Sequence, residues 1–227
     1  MAIDKENSPG WYKVVVWIVL IAFVLGMVAV GLTWIFNGIG SNLEDPNAAT
    51  TTTSVDTSSN ASAETTINGR YQPQVTAALD ALKAKPDDFN ANNNVGIAYS
   101  LWAQDLMNSG DEQSQAAATS RYRDAVPYLK KASELQPTNS SVANSYILAL
   151  ALSGDKTQAL SVARNITKTD PGNAEGWYYL GLLLADSGET NATKDAIAAL
   201  RTAIEKDTSG TLKASAQQEI DTLNKTQ

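Results

Sequence analysis

Apolar residues recur at helical spacing through the C-terminal two thirds of the chain. Trp177, Leu180, Gly181 and Leu184 stand at i, i+3, i+4 and i+7, which places them along one face of a helix. The last segment of the chain carries a similar stripe, with polar residues on its other sides. The pattern therefore predicts an all-α fold for this region.

The helical stripes repeat at a fixed interval. Three pairs of like residues are each separated by about 34 residues, and they are Pro137 and Pro171, Gly154 and Gly188, and Leu150 and Leu184. A period of this length, with a W-x-x-L-G core beginning at Trp177, resembles the tetratricopeptide repeat (TPR), in which each unit is a pair of helices.

The resemblance implies a right-handed α-solenoid of about three TPR helix pairs. An N-terminal half-repeat helix and a C-terminal capping helix are expected to flank these pairs, because a solenoid needs ends with one polar face. Within a TPR domain spanning 71–227, we predict a half repeat at 71–86, repeat 1 at 89–139, repeat 2 at 140–173, repeat 3 at 174–210 and a cap helix at 211–227.

The first repeat is predicted to contain an insertion. The interval from Gly96 to Ala125 is more than twice the one that the family pattern leaves between these landmarks, so the chain is lengthened around 108–111. The Ala- and Gln-rich composition after this point favours longer helices over a long loop. Pro127 leaves two possibilities: the second helix begins near Asp124, or a longer helix kinks at the proline.

The N-terminal part of the chain predicts a membrane anchor. Residues 14–36 carry no charge, and a helix of this length spans roughly 35 Å, enough to cross a bilayer. We predict a short cytoplasmic tail at 1–10 and an uncleaved transmembrane helix at 11–37, since the apolar run is too long for a signal peptide. Lys5 and Lys13 precede the run and the next basic residue is Arg70. The positive-inside rule then predicts a single-pass plasma-membrane protein with its N-terminus inside and its TPR domain extracytoplasmic.

The segment at 38–70 is predicted to be a disordered linker. Serine and threonine are the most frequent residues between positions 41 and 68, and no aromatic residue occurs there. Such a composition cannot bury enough apolar surface to offset the entropy of ordering.

Composition excludes several kinds of chemistry. The chain has no cysteine and no histidine, which removes disulfides, Cys/His zinc sites, thiol nucleophiles and imidazole bases. A net charge of −7 argues against nucleic acid as a partner. Neither a phosphate-binding loop nor a complete calcium loop occurs. We therefore predict no enzymatic activity, no cofactor and no metal.

The family resemblance implies a binding groove lined by the first helix of each repeat, which takes an extended segment or a helix of a protein partner. Asn93 and Asn144 fall at the same place in successive repeats, where side-chain amides can pair with a peptide backbone, and aliphatic neighbours can hold apolar side chains. The alternative is that the asparagines cap or solvate helices and the leucines pack beneath a neighbour. None of the predicted groove residues is basic, so a clamp for a C-terminal carboxylate is missing. The predicted groove residues are Asn93, Ile97, Ser100, Leu101, Asn144, Leu148, Ala151, Leu152, Tyr178, Leu182, Ala185 and Asp186.

These features together predict a membrane-anchored TPR scaffold. Its expected role is that of an adaptor or chaperone-like protein that binds protein partners outside the cytoplasmic membrane. The alternative is a homo-oligomer, a self-assembling structural protein whose repeat ends stack into a membrane-associated lattice.

Overall fold

The computed structural model describes residues 63–110 and 112–225 of the chain, and these residues fold into helices joined by short turns. No strand occurs within these two ranges. The helices are α1 (Ala63–Ala84), α2 (Phe89–Asn108), α3 (Glu112–Leu135), α4 (Ser140–Leu152), α5 (Lys156–Thr169), α6 (Ala174–Ala185), α7 (Ala192–Lys206) and α8 (Lys213–Lys225).

Short polar residues fix where several of these helices begin. Asp88 Oδ1 accepts a hydrogen bond from the Ala91 backbone N–H at 2.8 Å, and Asn173 Oδ1 accepts one from Gly176 at 2.9 Å. Asn139 and Asp155 cap α4 and α5 in the same way. Each cap satisfies one of the backbone donors that the first turn of a helix leaves without a partner.

The glycines that recur in the turns have a backbone reason. Gly154 and Gly188 follow the first helices of successive repeats and adopt positive φ angles of 96° and 67°. A residue with a Cβ rarely adopts this left-handed conformation, whereas glycine adopts it without steric cost. The regular spacing of these glycines therefore marks the same sharp turn in two repeats.

The helices form two layers. Each helix packs on the next one along the chain, and α2, α4, α6 and α8 also contact one another in that order. We call these four helices the inner layer, and α1, α3, α5 and α7 the outer layer. The arrangement is an α-solenoid of helix pairs, as the sequence predicts.

Two glycines permit the closest approach between the layers. A Cβ added to Gly96 in α2 would lie 2.5 Å from Leu129 Cγ in α3, and one added to Gly181 in α6 would lie 2.6 Å from Leu200 Cγ in α7. Both leucines are fully buried. The same glycine–leucine contact thus joins the two helices of repeats 1 and 3.

Helix α1 begins at Ala63, before the predicted start of the half repeat, and Pro73 lies within it. Its first turns are held by α2, because Trp102 Nε1 donates a hydrogen bond to Asn68 Oδ1 at 2.8 Å and Tyr71 donates one to Asp105 at 2.9 Å. Ile67 packs against the buried cluster around Trp102. Residues 63–70, which the sequence assigns to the linker by composition, are ordered through these contacts.

The insertion in repeat 1 lengthens both helices, giving α2 20 residues and α3 24 residues. Helix α3 runs through Pro127, so of the two possibilities for this proline the longer helix is found. The proline ring is exposed to solvent, on the side of α3 that faces away from the neighbouring helices.

The turn before α8 lacks the proline that stands at the end of the earlier repeats, and the Asp207 carboxylate holds this turn instead. Asp207 accepts hydrogen bonds from the backbone N–H groups of Ser209, Gly210 and Leu212, at 3.2, 3.0 and 2.6 Å. Partial burial acts to raise the pKa of Asp207, but these bonds outweigh it and lower the pKa below its ordinary value. The carboxylate therefore fixes the direction in which the chain enters α8.

The predicted plasma-membrane localisation is contradicted. Over the described ranges 63–110 and 112–225, no helix is both long enough and apolar enough to cross a membrane. The physical reason is that the three longest, α1, α2 and α3, interleave charged or amide side chains with their apolar ones. The tail at 1–10, the transmembrane helix at 11–37 and the linker up to residue 62 lie outside the described residues.

Candidate protein-interaction face

The side of the inner layer that points away from the outer layer forms the candidate site, which we call the inner face. Contacts join α2 to α4, α4 to α6 and α6 to α8, whereas the outer helices from α3 onward have few contacts with one another. Helices in the inner layer therefore lie closer together than those in the outer layer. This difference makes the inner face the concave side of the described helices.

The structure leaves most of the predicted groove residues accessible. Asp186 is exposed, and the half-buried ones are Asn93, Ile97, Ser100, Leu101, Ala151, Leu152 and Ala185. Ile97, Leu101 and Leu152 add aliphatic surface on α2 and α4. Ser100 Oγ donates a hydrogen bond to the Gly96 carbonyl within its own helix, at 2.9 Å. Asp186 pairs with Lys156 of α5, which turns its carboxylate toward the outer layer.

Four predicted groove residues are buried instead. Asn144, Leu148, Tyr178 and Leu182 expose only 5%, 6%, 2% and 3% of their surface. Leu148 and Leu182 belong to the buried core, as the alternative of a packing role predicts. Asn144 and Tyr178 carry polar atoms, so their surroundings decide what they do.

Asn144 is bonded within the protein. Its Nδ2 donates to Asn173 Oδ1 at 3.2 Å and to Glu175 Oε2 at 2.7 Å, and its Oδ1 accepts from Asn173 Nδ2 at 3.1 Å. Both amide hydrogens are therefore used, and they tie α4 to the first turn of α6. Asn93, at the equivalent position of the first repeat, stays half-exposed.

Tyr178 differs from Asn144 because its hydroxyl is buried and has no hydrogen-bond partner within the described ranges. Desolvation, followed by the negative charge of Glu219, raises the pKa of Tyr178. Glu219 lies on α8, a helix that contacts α6, and it is half-buried. Burial alone raises the pKa of Glu219. The inner layer thus contains an unpartnered phenol on α6 and a partly desolvated carboxylate on α8.

The sequence pattern missed Glu219 and Glu175. The sequence pattern predicts that α8 is a capping helix with a single apolar stripe, and it places the acidic residues of this helix on the solvent-exposed side. Glu219 lies three residues after Ala216 and next to Ile220, both of which are buried. An acidic residue at the edge of the apolar stripe is the signal that could have located it.

The charged residues on three of the four inner helices are all acidic. Helices α2, α4 and α6 contain Asp105 and Glu175 and no lysine or arginine. Asp105 is neutralised by Arg70 of α1, at 2.9 Å. In the C-terminal half of the inner layer, Glu175 lies on α6, and α8 carries Glu219 and Asp221 together with Lys213 and Lys225.

A second polar cluster lies toward the N-terminal end. Tyr99 stacks between Trp102 and Tyr128 with ring centroids 6.4 and 6.0 Å away, and the Arg121 guanidinium lies 4.3 Å from the Trp102 ring centre. Arg121 also pairs with Asp124 at 2.8 Å. These contacts join α2 to α3 through rings and a paired charge, so we assign the cluster to packing.

Within residues 63–110 and 112–225, no group of acidic side chains is placed to hold a metal ion. The candidate site is thus a protein surface made of aliphatic, amide and acidic groups. Its chemistry is that of recognition through apolar contact, hydrogen bonds and charge.

Comparisons with known proteins bear on the fold. No protein-family model matches the sequence, and no curated protein matches it. The described region is similar in structure to MamA, with a TM-score of 0.53 and 21% identity over 70% of this chain and 79% of that one. It is also similar to TTC0263, a thermophilic TPR protein of Thermus thermophilus, with a TM-score of 0.50 and 17% identity over 69% and 76% of the two chains. At these identities the likeness concerns the fold alone, and the described part of the chain has the fold of a tetratricopeptide-repeat solenoid.

Proposed function

We propose that the chain is a protein-interaction scaffold whose inner face binds an extended segment of a protein partner. The observation that carries this proposal is the set of predicted groove residues that remain half-exposed on α2, α4 and α6. They lie on successive helices of one concave layer, and among them Leu152 also packs against the buried cluster around Trp102. A partner segment gains apolar contact there from Ile97, Leu101 and Leu152.

The polar groups of the inner face suit the backbone of such a segment. Asn93 offers an amide donor and acceptor, and it makes no hydrogen bond within the described ranges. No catalytic role is assigned, because the sequence contains no histidine and no cysteine.

A displayed library of random nonapeptides tests the proposal. The full-length chain should enrich specific peptides, and Ala185→Arg and Ile97→Ser should each weaken binding of the enriched peptides about tenfold. Ala198→Arg is the matched control, because Ala198 is exposed on the outer helix α7. Thermal unfolding of each variant shows whether weaker binding results from the altered surface or from a loss of folding.

Two results would overturn the proposal. One is a library that yields no enriched peptide, and the other is binding that the inner-face variants leave unchanged. The alternative of self-assembly stays a prediction from the sequence. Light scattering of the full-length chain tests it, since stacking predicts a mass that rises with concentration.

A further inference from the structure

We propose that two copies of this chain associate through the exposed side of α1, as an antiparallel helix pair related by a two-fold axis near position 75. This surface belongs to the outer layer and is separate from the inner face. The proposal therefore does not depend on the proposed function.

Helix α1 lacks a neighbour that every later outer helix has. Within the described ranges, α3, α5 and α7 each pack between two inner helices, whereas α1 packs on α2 alone among them. The side of α1 opposite its buried Val75 carries a groove of about 470 Å³. A groove along a helix is the surface into which the ridges of a second helix pack. The residues that line it are all exposed, and they are Gly69, Gln72, Pro73, Thr76, Ala77 and Asp80.

The charges on this side of α1 are complementary to each other. Arg70 lies five residues before position 75 and Asp80 lies five residues after it, and their side chains are 59% and 62% exposed. An antiparallel pair centred at position 75 places Arg70 of each copy opposite Asp80 of the other. A parallel pair in register would place each charge beside its like. Charge complementarity therefore selects a second copy in the antiparallel orientation.

Both charged groups keep hydrogen-bonding capacity for a second partner. Arg70 donates to Asp105 at 2.9 Å, and Lys83 donates to Asp80 at 2.8 Å, within one copy. A guanidinium has five N–H donors and a carboxylate has two acceptor oxygens, so a pair between copies can form without breaking either contact. Exposed ion pairs contribute little free energy, so they fix the orientation while packing of the helices supplies the attraction.

Short side chains along the same line permit close approach of the two helices. Pro73 and Ala77 lie two residues on either side of position 75, and Thr66 and Ala84 lie nine residues on either side. All four are exposed, and the symmetry that matches the charges also places each of them opposite another short side chain. One helix from each copy gives an interface at the low end of the specific range, below about 1,200 Å², so we expect a weak, concentration-dependent dimer.

Cysteine crosslinking tests the arrangement, because the chain has no cysteine of its own. Thr66→Cys and Ala84→Cys would be made separately in the full-length chain and then mixed. The antiparallel pair brings position 66 of one copy opposite position 84 of the other, whereas two copies of position 66 lie about 27 Å apart along the helix axis. A short bismaleimide should therefore join the two variants to each other and give little product with either variant alone. Peptide mass spectrometry identifies the joined positions.

Analytical ultracentrifugation of the full-length chain measures the dimer itself. Ala77→Arg should raise the dimer dissociation constant about tenfold or more, because it places a long side chain at the centre of the contact. Asp80→Arg should have a similar effect, because it sets a like charge opposite Arg70. Ala198→Arg and Glu205→Arg are the matched controls, at exposed positions of α7, and they should leave the dissociation constant unchanged. Thermal unfolding of each variant checks that the fold is retained.

Three results would overturn the proposal. The first is a chain that stays monomeric at the highest concentration reached, and the second is association that Ala77→Arg leaves unchanged. The third is efficient crosslinking of Thr66→Cys to itself, which indicates a parallel pair. A mass that levels off at that of two chains supports the closed two-fold pair, whereas a mass that keeps rising with concentration contradicts it and supports stacking of repeat ends. None of these results bears on binding at the inner face.

Discussion

Asn144 and Asn173 exchange a reciprocal pair of side-chain hydrogen bonds, at 3.2 and 3.1 Å, between α4 and the residue that caps α6. The Asn173 oxygen that takes part also accepts the backbone N–H of Gly176. The pair therefore links the packing of repeat 2 against repeat 3 to the first turn of α6. Because the Asn144 amide is used in these bonds, it is not available to a ligand on the inner face.

Replacing Asn144 by alanine should lower the free energy of unfolding by about 1–3 kcal/mol. The substitution leaves the Asn173 amide and the Glu175 carboxylate without the partner that Asn144 provides. Asn93→Ala, at the equivalent position of repeat 1, should change stability by less than about 0.5 kcal/mol because this side chain is half-exposed and makes no hydrogen bond with described residues. Denaturant unfolding measures both, and equal effects would contradict the distinction between the two asparagines.

Gly181→Ala should destabilise the protein by about 1–3 kcal/mol, because its Cβ would lie 2.6 Å from Leu200 Cγ in the contact between α6 and α7. Intrinsic helix propensity acts in the opposite direction, by about 1 kcal/mol. Gly69→Ala in α1 is the control, since its Cβ meets no atom within 4 Å, and it should stabilise the protein by up to about 1 kcal/mol. Thermal unfolding that shows the same sign for both would refute the packing role of Gly181.

Asp207→Ala should lower the melting temperature at pH 7, because the carboxylate holds the backbone of the turn before α8. The folded-state pKa of Asp207 is lowered despite partial burial, so the stabilisation is present above the unfolded-state pKa and is lost as pH falls through the folded-state value. The difference from the original chain should therefore narrow from about pH 4 downward. Asp221→Ala, on the exposed side of α8, should show a smaller difference at pH 7, and a gap that stays constant to pH 2 would contradict this account of Asp207.

Local signals in the sequence were sufficient for much of the fold. The recurrence of Gly154 and Gly188 reflects a backbone conformation that glycine adopts readily, and Leu180, Gly181 and Leu184 of the apolar stripe are buried as the stripe predicts. These features depend on near neighbours in the chain, so their spacing identifies the helix pairs. The start of α1 depends instead on contacts with Trp102 and Asp105, which are distant in the chain and which composition does not reveal.

The roles of the candidate-site residues were harder to predict from the sequence, for the same reason. Repeat position places Asn93 and Asn144 alike, but the two differ because only Asn144 meets Asn173 and Glu175. The negative charge of Glu219 acts on Tyr178 from a helix that α7 separates from α6 along the chain. Sequence periodicity assigns each helix a face, but it does not assign the partner that each polar atom meets.

Site-specific photo-crosslinking tests the central claim, binding at the inner face, most directly. Benzoylphenylalanine would be placed at Leu152 on the inner face, or at Ala198 on the outer helix α7, in the full-length chain. Irradiation with the most strongly enriched nonapeptide should give a crosslink from position 152 and none from position 198. A crosslink from position 198 alone, or equal yields from both positions, would contradict binding at the inner face.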